Sequence, residues 1–502
     1  MQPVSIAARQ QVTGFADLSF PLCSNFDVAL ANLGNAIKDQ GRTQDSVQYY
    51  RRAVKVNPNF PEALCGLVSA LLAVCDWDEV YERKPTLMSR VSELVNKQID
   101  DGCLYGAGTL LLDKPPESWL EIICYAYNDW RPEFQNRWLE RLRVFYLPLE
   151  QRDPTLSEGS FMIRLVEKLM RKMQRKWYMQ IANESAATRT VVRPTLQDAA
   201  LYTRPALPSR MIAPAVPTVL PFHTFTYPLS TRQIRLISHR NALRISQTTL
   251  SQMWMPQHVF PPPPVPAPRL KIGYVSSDFN NHPLAHLMQS CFGLHDLTRF
   301  SIYLYATTPS DSSPFRQKIE RDAEHFVDVS SWKNEQIVDH IVQDGIHVLI
   351  NLNGYTKGAR NEIFAARPCP VQMEFMGFAG PLVSGWTDWV IADPIVCPPS
   401  YTSGDVWRRI SGKDTILANG NANGPVTSNS RATDFEGDLD PEGPRDDWIY
   451  SERFLYMPHS YFVNDHKQGF RESEEAPFSP TNQEELWASE EQKRWLARKE
   501  VS

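Results

Sequence analysis

Hydrophobic residues recur at helical spacing near the start of the chain. Over 26–56 they mark two helices, which a turn at 39–41 separates and Pro58 ends, and the first pattern then restarts. Two helices with small residues at their crossing (Gly34 and Ala53), a closing proline and a period of about 34 residues are typical of a tetratricopeptide repeat. A plain helical hairpin is the alternative, because one full repeat and a partial one are fewer than the roughly three that such arrays need.

The hydrophobic pattern over 105–222 is weaker. The stretch FMIRLVEKLMRKMQRKWYMQI has an apolar and a basic face and predicts an amphipathic helix. A packed helix with a solvated basic face is the simpler interpretation, and contact with a membrane or an acidic partner is the alternative. We interpret 105–222 as a helical insertion that ends in a proline-rich linker, and 223–268 as helices followed by a polyproline spacer at VFPPPPVPAPRL.

A different pattern begins at residue 269. The runs LKIGYVSS, FSIYLYAT, HVLINLNG, VQMEFMGF and WVIADPIV are almost continuously apolar, as buried parallel strands are, and helical patterns separate most of them. Such alternation predicts a doubly wound, mostly parallel sheet. The predicted fold class is therefore α plus α/β, with tetratricopeptide-type helical repeats and exit helices over 25–104 and one Rossmann-like domain over 269–409.

The two ends of the chain carry less pattern. We interpret 1–24 as an N-terminal tail and 471–502 as a charged tail. The segment 410–450 is polar and rich in glycine and proline, which predicts disorder. The segment 451–470 is a short return to sequence typical of ordered structure.

Composition and charge narrow the class of protein. The net charge of -5 lacks the basic excess of a nucleic-acid binder. The longest apolar run, 63–75, falls short of the roughly 18 residues of a membrane span, and the N-terminus lacks the apolar core of a signal peptide. The 8 cysteines occur singly without a CxxC pair, which argues against a zinc or dithiol site and favours reduced thiols in the cytoplasm or nucleus.

Polar residues gather around two of the predicted strands, and they are the candidate site. Ligands of open α/β sheets bind beyond the carboxyl ends of the strands. The stretch SSDFNNH follows the first strand, and NGYTKGAR, whose glycines lack P-loop spacing, follows HVLINL. The predicted substrate-binding residues are Asn281, Asn351, Asn353, Tyr355, Thr356 and Lys357.

His282 is the most informative of these polar residues. Pro283 suits the first position of a helix, which leaves His282 near the N-cap. A helix N-terminus disfavours the imidazolium, so we expect a neutral ring able to accept a proton. The alternative is an ordinary capping histidine. These residues predict a ligand site on the α/β domain and do not specify a reaction.

Three stretches resemble the O-linked N-acetylglucosamine (O-GlcNAc) protein transferase family: LKIGYVSSDFNNHPLAHLMQS, DGIHVLINLNGYTKGARNEIFAARPCPVQ and RFLYMPHSYFVNDH. The stretch NPNFPEALCGLVSALLAVCDWDEVYER resembles that family's last tetratricopeptide repeat and its exit. The resemblance covers 26–83, 223–396 and 453–466. It implies the N-terminal half of a GT-B glycosyltransferase that moves N-acetylglucosamine from UDP-GlcNAc to serine or threonine hydroxyls, with inversion and without a metal or other cofactor.

The resemblance also implies roles for particular residues. The match of NNHPLAH gives His282 the place of the family's essential histidine, a proposed base. The match of QDGIH gives His347 the place of a second active-site histidine, and Asp344 is a weaker candidate for a proton relay. The implied partners are UDP-GlcNAc and, through the repeats, protein substrates in the cytoplasm and nucleus, with no nucleic acid and no membrane span.

The chain departs from the family pattern in one major respect. The family holds the uridine diphosphate mainly in a second Rossmann-like domain, and no second α/β alternation follows Phe462. We interpret 451–470 as the start of the intervening region, and expect a fungal-type or truncated member that lacks the C-terminal catalytic half and binds little donor. The alternative function is a catalytically inactive tetratricopeptide-repeat scaffold that binds proteins.

Overall fold

The computed structural model describes residues 27–82, 85–411, 434–435, 437–465, 492 and 495–496. The helices that precede the sheet are α1 (Asp27–Asp39), α2 (Thr43–Val56), α3 (Pro61–Ala73), α4 (Trp77–Tyr81), α5 (Leu87–Gly102), α6 (Glu117–Tyr127), α7 (Pro132–Arg143), α8 (Glu158–Thr188), α9 (Leu196–Ala199) and α10 (Thr231–Leu250). None of these helices, nor any other in the described ranges, is long and apolar enough to cross a membrane.

The first three helices pack as the repeat pattern predicts. Tyr50 of α2 is 1% exposed and lies between two glycines of the neighbouring helices. A Cβ atom would come within 2.8 Å of its ring at Gly34 and within 2.5 Å at Gly66. Because only glycine leaves room for the ring, these residues set how closely the helices approach. The Tyr50 hydroxyl donates to Asn35 Oδ1 at 2.7 Å.

The sheet forms the second part of the core. Its strands are β1 (Leu270–Ser276), β2 (Phe300–Ala306), β3 (His325–Asp328), β4 (Val348–Asn351), β5 (Val371–Glu374), β6 (Trp389–Ala392) and β7 (Arg453–Tyr456), and its helices are α11 (Pro283–Met288), α12 (Pro314–Asp322), α13 (Asn334–Asp344), α14 (Glu362–Ala365) and α15 (Ser403–Ile410). The order is β3-β2-β1-β4-β5-β6-β7, and every adjacent pair is parallel. The predicted parallel α/β fold is confirmed.

Two strands differ from the sequence interpretation. β3 lies in a stretch read as the end of a helix, and β7 lies outside the predicted domain boundary of 409. Short edge strands carry too few residues to show a period of two. The chain order reverses between β1 and β4, so the crevice at this switch point faces the carboxyl ends of both strands.

The long helix α8 belongs to the same core as the sheet. Its apolar residues share one buried cluster with Val275, Tyr305 and Leu349 of the strands. Gln174 of α8 donates to the Arg367 carbonyl oxygen at 3.2 Å and to the Phe260 carbonyl oxygen at 3.3 Å. The segment 105–222 is therefore not a separate insertion, and Phe260, at the start of the predicted spacer, is a core residue.

Part of the segment predicted to be disordered is packed into the protein. Arg240 of α10 and Glu442 are both buried and form an ion pair, with Nη2 to Oε2 at 3.0 Å. Arg235 donates to four carbonyl oxygens of this segment, including that of Trp448 at 2.7 Å. The prediction of disorder is wrong for 437–450, because it could not anticipate two buried arginines that need acceptors. Residues 1–24, 412–433 and nearly all of 471–502 lie outside the described residues.

We expect Glu442→Ala to lower the free energy of unfolding by about 3–5 kcal/mol, because it leaves a buried guanidinium without its carboxylate. Burial would raise the pKa of Glu442, but the charge and hydrogen bonds of Arg240 lower it, so the pair is ionised. Urea unfolding followed by circular dichroism measures the effect. Asp447→Ala, which breaks the exposed pair with Arg445, is the control and should change the free energy by less than about 1 kcal/mol.

Candidate functional site

The carboxyl edge of the sheet, where the parallel strands end, carries His282 at the start of α11. His282 has extended backbone angles (φ -143°, ψ 148°), and Pro283 takes the first helical position as expected. The Leu284 amide donates to His282 Nδ1 at 3.2 Å. The N-cap predicted from the sequence is therefore present, with the imidazole as the capping acceptor.

This cap fixes which nitrogen of the His282 ring carries the proton. Nδ1 accepts a hydrogen bond from a backbone amide, so it has no proton of its own. A neutral imidazole has one N–H, which must then be at Nε2. The side chain is 47% exposed, so Nε2 can reach a ligand as a donor. Nδ1 is occupied in this conformation, so His282 can offer a hydrogen bond through Nε2, and its role as a base stays a prediction.

Asn353 ties the loop after β1 to the loop after β4. Its Nδ2 donates to Asp278 Oδ2 and to Ser277 Oγ, both at 2.8 Å, and its Oδ1 accepts from the Ser277 amide at 2.8 Å. Asp278 Oδ2 in turn lies 3.7 Å from His282 Nδ1. Ser277, Asp278 and Asn353 are all buried, so their hydrogen bonds hold the base of the crevice rigid.

Two of the six predicted substrate-binding residues are buried, and a third, Tyr355, is half-buried with its hydroxyl in the interior. Asn351 Oδ1 accepts from the Asn353 and Gly354 amides at 2.9 and 3.0 Å, which shapes the loop after β4. Asn353 is buried in the network just described. The Tyr355 hydroxyl donates to the Leu382 carbonyl oxygen at 2.8 Å, in the interior. These side chains support the crevice from beneath.

The other three predicted residues lie nearer to solvent. Thr356 is half-buried, and its hydroxyl donates to the Asn353 carbonyl oxygen at 2.9 Å. Asn281 and Lys357 are exposed. The Asn281 amide donates to Asp311 Oδ2 at 2.7 Å, and its side-chain oxygen pairs with His286 Nε2 at 2.8 Å. His282, Asn281 and Lys357 are thus the predicted residues that the carboxyl edge presents to a ligand.

His347 and Asp344 lie at the opposite, amino edge of the sheet, so the structure does not bring them to His282. His347 precedes β4; its Nδ1 accepts from the Lys271 amide at 3.2 Å, and its Nε2 donates to the Pro264 carbonyl oxygen at 2.8 Å. Asp344 ends α13, and its carboxylate accepts from the Tyr305 hydroxyl at 2.7 Å. Both side chains hold the strands and the proline-rich segment together. The sequence already places His347 at the start of the predicted strand HVLINLNG, which agrees with the amino edge.

Comparisons with known proteins agree on one family. Residues 210–406 match the model of "Glycosyl transferase family 41". Over 258 residues the chain is 38% identical to "Probable UDP-N-acetylglucosamine--peptide N-acetylglucosaminyltransferase SEC" of Arabidopsis thaliana, a match that covers 50% of this chain and 22% of that protein. The resemblance found in the sequence is confirmed, and the family segment begins inside the stretch that was read as an insertion.

Two further relatives bear on how much of a family 41 protein is present. The "UDP-N-acetylglucosamine--peptide N-acetylglucosaminyltransferase" of Caenorhabditis elegans is 35% identical over 268 residues, covering 51% of this chain and 19% of that protein. A solved mutant of the Thermobaculum terrenum O-GlcNAc transferase covers 91% of this chain and 61% of that one, at 16% identity and a TM-score of 0.34. The chain spans about a fifth of the length of the plant and nematode relatives.

A pair of buried carboxyl groups lies within this family 41 fold, beneath the loop after β4. Glu374 and Glu452 are each 1% exposed, and a Cβ atom at Gly354 would lie 2.7 Å from Glu374 Oε1. Burial raises the pKa of Glu452 to about 7, and burial and the charge of Glu452 raise that of Glu374 well above its usual value. Sequence analysis gave no signal for this pair. Asp278 was among the polar residues expected beyond the first strand, and Ser277, directly before it, was not singled out.

We expect Glu452→Gln to stabilise the protein above pH 7 and to leave it unchanged near pH 4.5. The raised pKa means that wild type loses stability as the pH rises from the unfolded value of 4.5 to about 7. Glutamine keeps the acceptor for the Ser384 amide and cannot ionise. The predicted gain at pH 8 is on the order of 3 kcal/mol. Urea unfolding across this pH range tests it, with the exposed Glu335→Gln as control; equal pH slopes in all three proteins would contradict the prediction.

We expect His347→Ala to reduce the free energy of unfolding by roughly 3 kcal/mol, because the Lys271 amide and the Pro264 carbonyl group lose their buried partner. Thermal or urea unfolding measures the loss. The exposed His459→Ala should change stability by less than about 0.5 kcal/mol. Wild-type stability of His347→Ala would remove the structural role assigned to this ring.

Proposed function

We propose that this chain supplies one wall of the active-site cleft of a protein O-GlcNAc transferase, which moves N-acetylglucosamine from UDP-GlcNAc to serine or threonine hydroxyls. The observation that carries this proposal is the exposed His282 side chain at the switch point of a family 41 sheet, with Nε2 free as a donor. The names of the plant and nematode relatives support this donor and this acceptor class.

The cleft wall would act by stabilising negative charge. Transfer of the sugar leaves charge on the departing diphosphate, and donors placed beforehand stabilise such charge more than water does. His282 Nε2 is one such donor, and the exposed Lys357 is a mobile cation at the same edge. The network of Asp278 and Asn353 contributes by holding the two loops in place. We assign to His282 hydrogen-bond donation, not removal of the acceptor's proton.

His347 and Asp344 take positioning roles in this proposal. Each is bonded to backbone or core groups at the amino edge, where the sugar would not reach. Loss of either would affect transfer only as far as it moves β1 and β4. The helical repeat (α1–α3) would bind protein substrates, and the 7 free cysteines among the described residues suit a cytoplasmic and nuclear location.

We expect His282→Asn to reduce the transfer rate about 100-fold or more while leaving the fold intact. Asparagine is a good N-cap and can accept from the Leu284 amide, but it lacks the ring Nε2 donor. Transfer of labelled N-acetylglucosamine from UDP-GlcNAc to serine-containing peptides, with and without EDTA, is the assay, and circular dichroism checks the fold. His325→Asn, on strand β3 at the sheet's end, is the matched control and should keep full activity.

The same assay separates the proposal from the scaffold alternative. A wild-type rate in His282→Asn would remove the ring from the reaction. Absence of transfer and of UDP-GlcNAc binding in the wild-type protein, with binding of protein partners retained, would favour a tetratricopeptide-repeat scaffold.

A further inference from the structure

A second polar site lies away from the carboxyl edge, between α8 and the amino ends of β6 and β7. Arg164, Lys168 and Arg171 follow one another at helical spacing on one face of α8, and this face points toward the sheet. They line a small recess that is partly open to solvent. We call it the basic recess. Ser384 and Ser451 lie on its sheet side.

Two of the three cations of the basic recess lack a carboxylate within hydrogen-bond distance among the described residues, because Arg171 alone has one, with its Nη1 3.3 Å from Asp388 Oδ1. Three basic side chains line it, and Asp438 is the acidic residue among the described lining residues. Asp438 Oδ2 is 3.8 Å from both Arg164 Nη2 and Lys168 Nζ, too far for a hydrogen bond. Its other carboxylate oxygen already accepts from the Ser403 hydroxyl. One carboxylate therefore does not satisfy the cations that face it.

Buried polar atoms without partners lie in the walls of the recess. Arg164 is 8% exposed, and its Nη1 has no hydrogen-bond partner among the described residues; Glu167 Oε2 lies 4.0 Å from it. Within the same part of the chain, the Ser451 hydroxyl is buried without a partner as well. A guanidinium cannot lose its proton, so an unfilled site here is costly. Both groups can donate to an oxygen atom placed in the recess.

Two nearby ionisable groups favour the same kind of ligand. Burial raises the pKa of Glu167, although the charge of Arg164 opposes the shift. Burial lowers the pKa of Lys168 to about 7. A negatively charged ligand would restore the full charge of this ammonium group. The basic recess therefore gains from an anion in charge as well as in hydrogen bonds.

We propose that the basic recess is a binding site for a small tetrahedral oxyanion of the phosphate or sulfate class. The Arg164 guanidinium and the Lys168 ammonium group hold its oxygens, and the Ser451 hydroxyl donates to a further one. The site is separate from the crevice at His282, because it lies at the amino ends of β6 and β7. It does not depend on the transferase activity.

Thermal unfolding of the full chain with inorganic phosphate or sodium sulfate tests the site. Wild type should show a saturable rise of the unfolding midpoint of roughly 2–4 °C beyond that in sodium chloride of equal ionic strength. Lys168→Met should unfold at the same or a higher midpoint without phosphate, because a buried ammonium group is removed, and should bind phosphate about tenfold or more weakly by calorimetry. Ser451→Ala should also weaken binding while keeping the fold.

The control is Arg175→Gln, which removes an exposed cation from the same helix one turn beyond Arg171 and should bind phosphate as wild type does. The proposal is overturned if chloride stabilises wild type as much as phosphate and sulfate do. It is also overturned if Lys168→Met retains wild-type affinity, or if Arg175→Gln loses as much as Lys168→Met.

Discussion

The burial of α8 and α10 in the core that they share with the parallel sheet is the constraint on which the rest of the structure depends. Both helices carry charged or polar side chains into the interior, where each needs a partner. His239 is bonded through Nε2 to Ser160 at 2.8 Å, and burial lowers its pKa to about 3, so it stays neutral. Arg240 forms an ion pair with Glu442, and Arg235 donates to four carbonyl oxygens. Because Glu442 and these four carbonyl groups lie in 437–450, this segment packs into the core.

The requirement that buried charged groups have partners also applies to the basic recess. Arg235 and Arg240 of α10 find acceptors, whereas Arg164 of α8 keeps one guanidinium nitrogen without an acceptor among the described residues. This nitrogen and the Ser451 hydroxyl, which is also unpartnered within that part of the chain, line the same recess. The Arg171 pair with Asp388, at 3.3 Å, shows that the same helix face can meet its partners where the sheet supplies them.

The two edges of the sheet carry different kinds of residue: candidate site residues lie at the carboxyl edge, and structural residues lie at the amino edge. At the carboxyl edge the ends of β1 and β4 present His282, while the Asn353 amide fixes the loops beneath it. At the amino edge His347 joins β1 to the proline-rich segment through both ring nitrogens. A histidine with two internal partners is committed to structure, whereas His282 has one nitrogen free. This difference, more than the residue type, separates a candidate site residue from a structural one.

The sequence determined the elements and much of the candidate site. Apolar runs predicted five of the seven strands, the glycine and proline pattern predicted the helical repeat, and Pro283 placed His282 at an N-cap. These features are local, because period, turn residues and caps act over a few positions. Tertiary structure alone decided that His347 is bonded through both ring nitrogens, that 437–450 is ordered, and that Glu374 is buried close enough to Glu452 for their charges to interact. Each of these features depends on contacts between residues that are distant in the chain. Burial and charge pairing between such residues produce no periodic pattern in the sequence, so the sequence alone could not predict them.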